Sequence, residues 1–268
     1  MFKFGFSNNK NDEDLNRVIS EKNDDTKKST INWIPASKVE ISELQIEKYY
    51  ESNDYTEYLI FPDCKLKLIK SEKALHDLQK ENCSNIMEAE IQHSDLIPAK
   101  YEGGLKIWEC SYDLGQYLSE NNIEFQNKFV LDLGCGTGII GLIALLKNST
   151  NIEIIKTVTI PNVMLNFEDR KSVLKKCQFF CGDWESFTKL CNEENEFIGY
   201  DLIFTSETIY NPNNHKKLFI AGKSYYFGVG GGMRQFENLI IEDGIFDVKI
   251  VWKSKEGLQR EILKIKRK

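Results

Sequence analysis

Apolar and polar positions divide this chain into three stretches. From Met1 to about Ser29, polar and charged residues crowd out any sustained apolar period, which predicts a mobile arm over residues 1–30. From Ile31 to Glu90, apolar residues recur without glycine punctuation through ISELQIEKYYESNDYTEYLIFPDC and KLKLIKSEKALHDLQKE, and predict short helices and strands in an N-terminal extension over residues 31–93. His76 falls in a polar helical pattern there and reads as a solvated surface residue. From Phe129 the pattern changes, with FVLDLG a β-rich run ending in glycine and GIIGLIALLKN helical. YDLIFTSE (Tyr200 to Glu207), KLFIAGKSYYFG (Lys217 to Gly228) and FDVKIVWKS (Phe246 to Ser254) are further strands, and REILKIKR after KEGLQ completes an antiparallel hairpin. Parallel strands linked by helices and closed by a hairpin at one edge describe an open, doubly wound α/β sheet.

Composition supports a domain of that size. The chain has 268 residues, 41% of them hydrophobic and 12% aromatic, enough to bury a large core, and this excludes a disordered or fibrous class. The net charge of −6, with no basic block before the extreme C-terminus, argues against a non-specific nucleic-acid groove, and no direct nucleic-acid binding is expected. No apolar stretch is long enough to span a bilayer, so no membrane partner is expected. Seven scattered cysteines with no charged-then-apolar signal segment before them fit reduced thiols in an intracellular compartment. Cys177, Cys181 and Cys191 with His215 match no common zinc-knuckle spacing, so these thiols read as buried and structural, and no metal is expected.

The densest chemical signal is the bend in Asp132-Leu133-Gly134-Cys135-Gly136-Thr137-Gly138, where a strand turns sharply into a helix. Glycines at 134, 136 and 138 permit left-handed backbone angles and let a ligand approach where no Cβ stands. The helix N-terminus reached this way attracts a negative group. Nucleotide-binding, flavin-binding and purely structural turns share a glycine triplet, and Asp132, two positions before the first glycine, narrows the choice. D-x-G-x-G-x-G after an apolar strand resembles the first motif of the seven-strand methyltransferases that use S-adenosylmethionine. The resemblance implies that the turn carries the methionine moiety and that Asp132 helps hold it.

Further stretches extend the likeness. YEGGLKIWECSYDL, LDLGCGTGIIG, TIPNVMLN, YDLIFTSETIYNP and KSYYFGVGGG together closely resemble the protein-histidine methyltransferase family, in the same order from about Ser94 to Lys268. The resemblance implies a methyltransferase domain over residues 94–268, with S-adenosylmethionine as cofactor and a histidine of a large-subunit ribosomal protein as substrate. It also implies a protein found in the cytoplasm and in the nucleus or nucleolus. Carried over residue by residue, it implies a cofactor site of Ile107, Trp108, Glu109, Cys110 and Ser111 closing over the cofactor, then Asp132, Gly134, Cys135, Gly136 and Gly138 at the turn. Gly182, Asp183 and Trp184 follow KCQFFC at the adenine, and Ser206 leaves the fourth strand at the crevice.

Methyl transfer needs a lone pair brought in line with an electrophilic methyl carbon, so positioning and electrostatics carry most of the catalysis. A histidine target must arrive neutral, and an acceptor on its other ring nitrogen selects the attacking tautomer. Glu207, Tyr210 and Asn211 are the candidates for that acceptor. Related lysine methyltransferases carry an acid and a tyrosine three residues apart at this point, a spacing that Glu207 and Tyr210 keep. A lysine methyltransferase of the same superfamily therefore stays an alternative, which YEGGLKIWECS and YYFGVGGG disfavour. A non-catalytic relative that binds ribosomal proteins is the other.

Two junctions are short for this family. Lys147 to Asn151 runs almost directly into IEIIKTVTIPN, with no strand-end acid for the cofactor's ribose in the expected place and Glu153 the nearest carboxylate. After NPNNHKK, too few residues remain before the next strand for a helical crossover, so either a helix is missing or the topology is altered.

Overall fold

The computed structural model describes residues 35–62, 64–80, 88, 91, 103–147, 152–153, 158–193, 199–207, 217–226 and 231–268. The arm expected over residues 1–30 lies outside them. In chain order the elements are β1 (Ser37–Lys38), α1 (Glu43–Glu47), β2 (Tyr55–Phe61), β3 (Cys64–Ile69), α2 (Ser71–Lys80), α3 (Glu109–Glu120), β4 (Val130–Leu133) and α4 (Ile139–Leu146). They continue as β5 (Ile152–Glu153), α5 (Thr159–Asn166), α6 (Arg170–Leu174), β6 (Cys177–Gln178), β7 (Phe180–Cys181), α7 (Trp184–Glu193), β8 (Leu202–Ser206), β9 (Lys217–Lys223), α8 (Met233–Asp243), β10 (Phe246–Lys253) and β11 (Arg260–Arg267).

The main sheet has the order β10-β11-β9-β8-β4. β4, β8 and β9 run parallel, and β11 is antiparallel to both β9 and β10, which makes β10–β11 the edge hairpin expected from the sequence. β5 and β6 form a separate two-stranded parallel ladder, with β5 lying alongside β4. Among the described residues the seven-strand sheet implied by the resemblance is thus found as five strands plus this ladder.

Central strands of a parallel sheet are covered on both faces, which is why β4 and β8 read as continuous apolar runs rather than alternating ones. Successive residues still point to opposite sides. Ile203, Leu218 and Ile220 pack with Met233, Phe236 and Ile240 of α8, whereas Phe204 and Phe219 pack on the other face with Leu114 and Leu118 of α3. Phe204 stacks on Phe219 with ring centroids 5.6 Å apart and tilts against Phe125 at 5.8 Å. α4 lies under both β4 and α3, and seven of its eight residues, from Ile139 to Leu145, are buried, so its sequence is apolar all round.

The short junction after β8 does not alter the topology. β8 and β9 pair parallel, Ile203 opposite Leu218 and Ser206 opposite Ala221, with only residues 207–216 to make the return. Fully extended, that many residues span about 33 Å, about twice the length of β8, so the return is possible without a crossover helix. Residues 208–216 lie outside those described. The strand expected over KLFIAGKSYYFG stops at Lys223; the Ser224 N–H still donates to the Gln259 carbonyl just before β11, and the Tyr226 N–H turns away to the Gly231 carbonyl.

The β2–β3 hairpin is fastened to the domain by two asparagines one helical turn apart. Asn162 Oδ1 accepts from the Ile69 N–H at 2.7 Å, and Asn166 accepts from the Lys67 N–H at 2.8 Å and donates to the Lys67 carbonyl at 2.7 Å. Side-chain amides thus stand in for a strand on the edge of β3. Asn162 is fully buried, and its Nδ2 also donates to the Thr137 carbonyl inside the glycine turn at 2.7 Å. Asn162→Ala leaves a buried N–H and a buried carbonyl without partners, so a loss of about 2–4 kcal/mol in unfolding free energy is expected in denaturant titration. A loss under about 0.5 kcal/mol would show that water replaces the amide.

Candidate active site

All three glycines of the turn adopt left-handed angles, with φ of 68° at Gly134, 52° at Gly136 and 80° at Gly138. Gly138 is the N-cap of α4 and offers no side chain to its free N–H groups. Asp132 supplies one, its Oδ2 accepting from the Gly141 N–H at 2.9 Å. The turn is held from the other side by α5, where Thr159 Oγ1 donates to the Gly136 carbonyl at 2.8 Å. Gly136 is also pressed by the segment before α3, since a Cβ there would stand 3.3 Å from the Gly104 carbonyl oxygen. Trp108, the N-cap of α3, fixes the same segment by donating its indole N–H to the Gly103 carbonyl at 3.2 Å.

Asp132 is 5% exposed, and burial raises its carboxyl to about 7, with the Gly141 N–H pulling the other way. A carboxyl whose folded pKa lies above its unfolded value binds more protons when folded. Its contribution therefore favours folding at acid pH and is lost as pH rises from about 4 towards about 7. Asp132→Asn is expected to flatten the fall in melting temperature across that window, measured by thermal denaturation from about pH 4 to about pH 8. An unchanged profile would mean that the carboxyl is solvated.

Beside the turn, Leu131, Asp132, Leu133, Gly134 and Cys135 form one wall of an open cleft, and Phe180, Cys181, Gly182, Trp184 and Phe187 form the other. Gly182, at φ 130°, has a reason the sequence did not disclose: the backbone of Ala36 passes where its Cβ would be, and the Ala36 N–H donates to Ser186 Oγ. Asp183 caps α7, with Oδ1 accepting from the Ser186 N–H at 3.0 Å, so one of its oxygens is already engaged. Trp184 faces the cleft directly.

At the end of β8 a second group of side chains converges. Glu207 has φ 58°, a left-handed angle uncommon outside glycine, and its N–H donates to the Ala221 carbonyl at 2.9 Å. Its side chain is 9% exposed. Oε1 accepts from the Cys110 thiol at 2.8 Å and Oε2 from the Tyr226 hydroxyl at 2.5 Å, while Lys223 Nζ stands 3.8 Å from Oε1. Burial first, then the Glu207 charge, push the Cys110 thiol and the Tyr226 phenol far up, so both keep their protons and donate them. Ser111 and Ser206 share a hydrogen bond of 2.7 Å and tie α3 to the end of β8.

The structure thus brings Trp108, Cys110, Ser111, Ser206 and Glu207 together, and gathers Asp132, Gly134, Cys135, Gly182 and Trp184 around the cleft. Ile107 is half-buried, and Glu109 is exposed, 3.7 Å from Arg260, which pairs with Asp113 at 2.5 Å. Tyr210 and Asn211 lie outside the described residues. Lys223, Gly104, Thr159 and Asn162 are not singled out by the sequence as site residues, although KSYY, YEGG and TIPN each stand inside a motif already quoted. β5 ends at Glu153, the nearest carboxylate to the place expected for a ribose-binding acid, and residues 154–157, which contain no acid, lie outside those described.

Among the scattered thiols, Cys177 is buried, donates to the Val173 carbonyl at 3.2 Å and is pushed up to about 12 by burial. No group of three or more histidine, cysteine or acidic side chains among the described residues could hold a metal ion, and no described helix is long and apolar enough to cross a membrane.

A doubly wound sheet with an acid-led glycine turn at the end of one strand, and a cleft beside it, is the architecture of a methyltransferase-like fold. Residues 98–221 match the family model described as lysine methyltransferase. The chain is similar to the histidine protein methyltransferase 1 homologs of Rattus norvegicus (38% identical, 65% of this chain and 59% of that protein) and Bos taurus (39%, 70% and 62%). That of Dictyostelium discoideum is 38% identical over 66% of this chain and 62% of that protein. Among solved structures, a putative SAM-dependent methyltransferase from Streptococcus mutans is 11% identical at a TM-score of 0.49, covering 82% of this chain and 57% of that one. Within the methyltransferases, the chain is similar to the histidine protein methyltransferases over about two thirds of its own length. It spans about three fifths of the length of the curated relatives it matches first.

Proposed function

We propose that this chain transfers a methyl group from S-adenosylmethionine to an imidazole nitrogen of a histidine in a protein, namely a large-subunit ribosomal protein. The observation that carries the reading is Glu207, an acceptor fixed by Cys110 and Tyr226 on the strand next to the glycine turn.

The cleft suits the cofactor chemically, offering apolar rings at Phe180, Trp184 and Phe187, a buried carboxyl at Asp132 and a backbone free of Cβ at Gly134. Those residues would hold it, and when bound it supplies a methyl group made electrophilic by the sulfonium. The chain's part is positioning. Glu207 accepts the N–H of one imidazole nitrogen, which leaves the lone pair of the other free to attack. Cys110 and Tyr226 stay protonated and keep the carboxylate in one orientation, so no covalent intermediate on the thiol is needed. Trp108 and the Gly103–Gly104 segment cover the turn and limit water. A ribosomal substrate carries with it a cytoplasmic and nuclear or nucleolar location.

A lysine target is the second reading, favoured by the description of the matching family model and by the spacing of Glu207 and Tyr210. Incubation with labelled S-adenosylmethionine and a ribosomal extract, followed by mass spectrometry, tests the proposal. Label on a histidine of a large-subunit ribosomal protein is expected. Label elsewhere would change the substrate, and no label together with no heat of cofactor binding in calorimetry would favour a non-catalytic relative.

A further inference from the structure

We propose that Lys223 sets the substrate preference of this site: its ε-ammonium already fills the cage of Trp108, Tyr226 and Glu207, so a neutral imidazole is admitted and a cationic lysine side chain is turned away. The inference rests on the reading above that a protein side chain docks at Glu207.

Lys223 is the last residue of β9. Its Nζ lies 5.5 Å from the Trp108 ring centroid, 5.7 Å from that of Tyr226 and 3.8 Å from Glu207 Oε1. Two aromatic rings within about 6 Å and a carboxylate within about 4 Å are the parts from which ammonium-binding cages are built. Here the cation is the chain's own.

The cage is held from outside as well. Tyr226 folds back onto its own strand end, where its hydroxyl oxygen accepts from the Lys223 N–H at 3.3 Å, over Gly222. The Trp108 ring is fixed by its bond to Gly103, and Lys223 itself is only 21% exposed. With the ammonium inside, Glu207 meets two proton donors and a cation, which is how a carboxylate tolerates this much burial.

A substrate lysine would need the same rings and the same carboxylate, and two ammonium groups in one cage repel each other across a single carboxylate that Cys110, Tyr226 and Lys223 already share. An imidazole brings an N–H to a carboxylate oxygen and no charge to oppose Nζ. Lys223 thus selects by rejection, as specific sites often do.

The test is a binding preference. N-acetyl-lysine-methylamide and N-acetyl-histidine-methylamide are titrated by NMR into the parent, Lys223→Met and Lys223→Arg at about pH 8, where the amine is charged and the imidazole neutral. The parent and Lys223→Arg are expected to favour the histidine compound by about tenfold or more, and Lys223→Met to lose that preference by about tenfold or more through tighter binding of the lysine compound. A preference in Lys223→Met within twofold of the parent, or a parent that takes both compounds equally, overturns the inference. Lys223→Gln repeats the measurement if Lys223→Met does not fold. Because no methyl transfer is read, failure of histidine methylation with the preference intact removes the proposed function alone. An unchanged preference with histidine methylation intact removes this inference alone.

Discussion

Glu207→Gln is expected to lower turnover by roughly two to four orders of magnitude, the range typical for losing a positioned proton-handling group, while affinity for S-adenosylmethionine stays near that of the parent. The amide keeps the shape of the side chain but offers an N–H on one side, where a substrate N–H or the Cys110 and Tyr226 donors need an acceptor. The imidazole then loses the bond that selects its attacking tautomer. Single-turnover kinetics and calorimetry on the same protein separate the two effects. If turnover survives in Glu207→Gln but disappears in Asn211→Ala, the orienting acceptor is Asn211. If cofactor binding fails in Glu207→Gln, the residue belongs to the cofactor pocket instead.

Gly136→Val is expected to weaken S-adenosylmethionine binding by well over tenfold, about 1.4 kcal/mol or more. Valine is β-branched, and a left-handed φ of 52° is strained for it before any neighbour is met. Its Cβ would then crowd the Gly104 carbonyl at 3.3 Å, and the γ-methyl groups would push further into the segment that carries Trp108. The turn and its cover would move apart together, spoiling the wall of the cleft formed by Gly134 and Cys135. Calorimetry reads the loss directly, and binding within twofold of the parent would remove this turn from the cofactor site.

The sheet and its glycine turn were legible because their residues obey local rules. An apolar run that ends in Asp132 and three glycines reads as a strand entering a helix, and FDVKIVWKS with REILKIKR reads as a hairpin, without knowledge of anything distant in the chain. The partners of those residues were not legible. Gly136 was read as room for a ligand, whereas its neighbour is the backbone at Gly104; Gly182 is pressed by Ala36, about 150 residues earlier. Asn162 and Asn166 look like ordinary helix residues until β3 is seen beside them.

Glu207 is legible as a candidate acceptor at the end of YDLIFTSE, but its donors come from α3 and from the turn after β9. Tyr226 lies 19 residues further along the chain and Cys110 lies 97 residues earlier. Spacing within one motif pointed to Tyr210, three positions on, as the tyrosine to watch. The residue that meets the carboxylate is instead set by the parallel pairing of β8 with β9, which brings Lys223 and Tyr226 to the same end of the sheet. Pairing of this kind is long-range, and no window along the sequence contains it.

The central claim is tested most directly by the chemical identity of the methylated residue. The chain is incubated with methyl-labelled S-adenosylmethionine and ribosomal protein, the product is hydrolysed in acid, and the labelled amino acid is identified by chromatography against methylhistidine and methyllysine standards. The label is expected in methylhistidine, and is expected to vanish with Glu207→Gln. Label in methyllysine from the parent chain would contradict it.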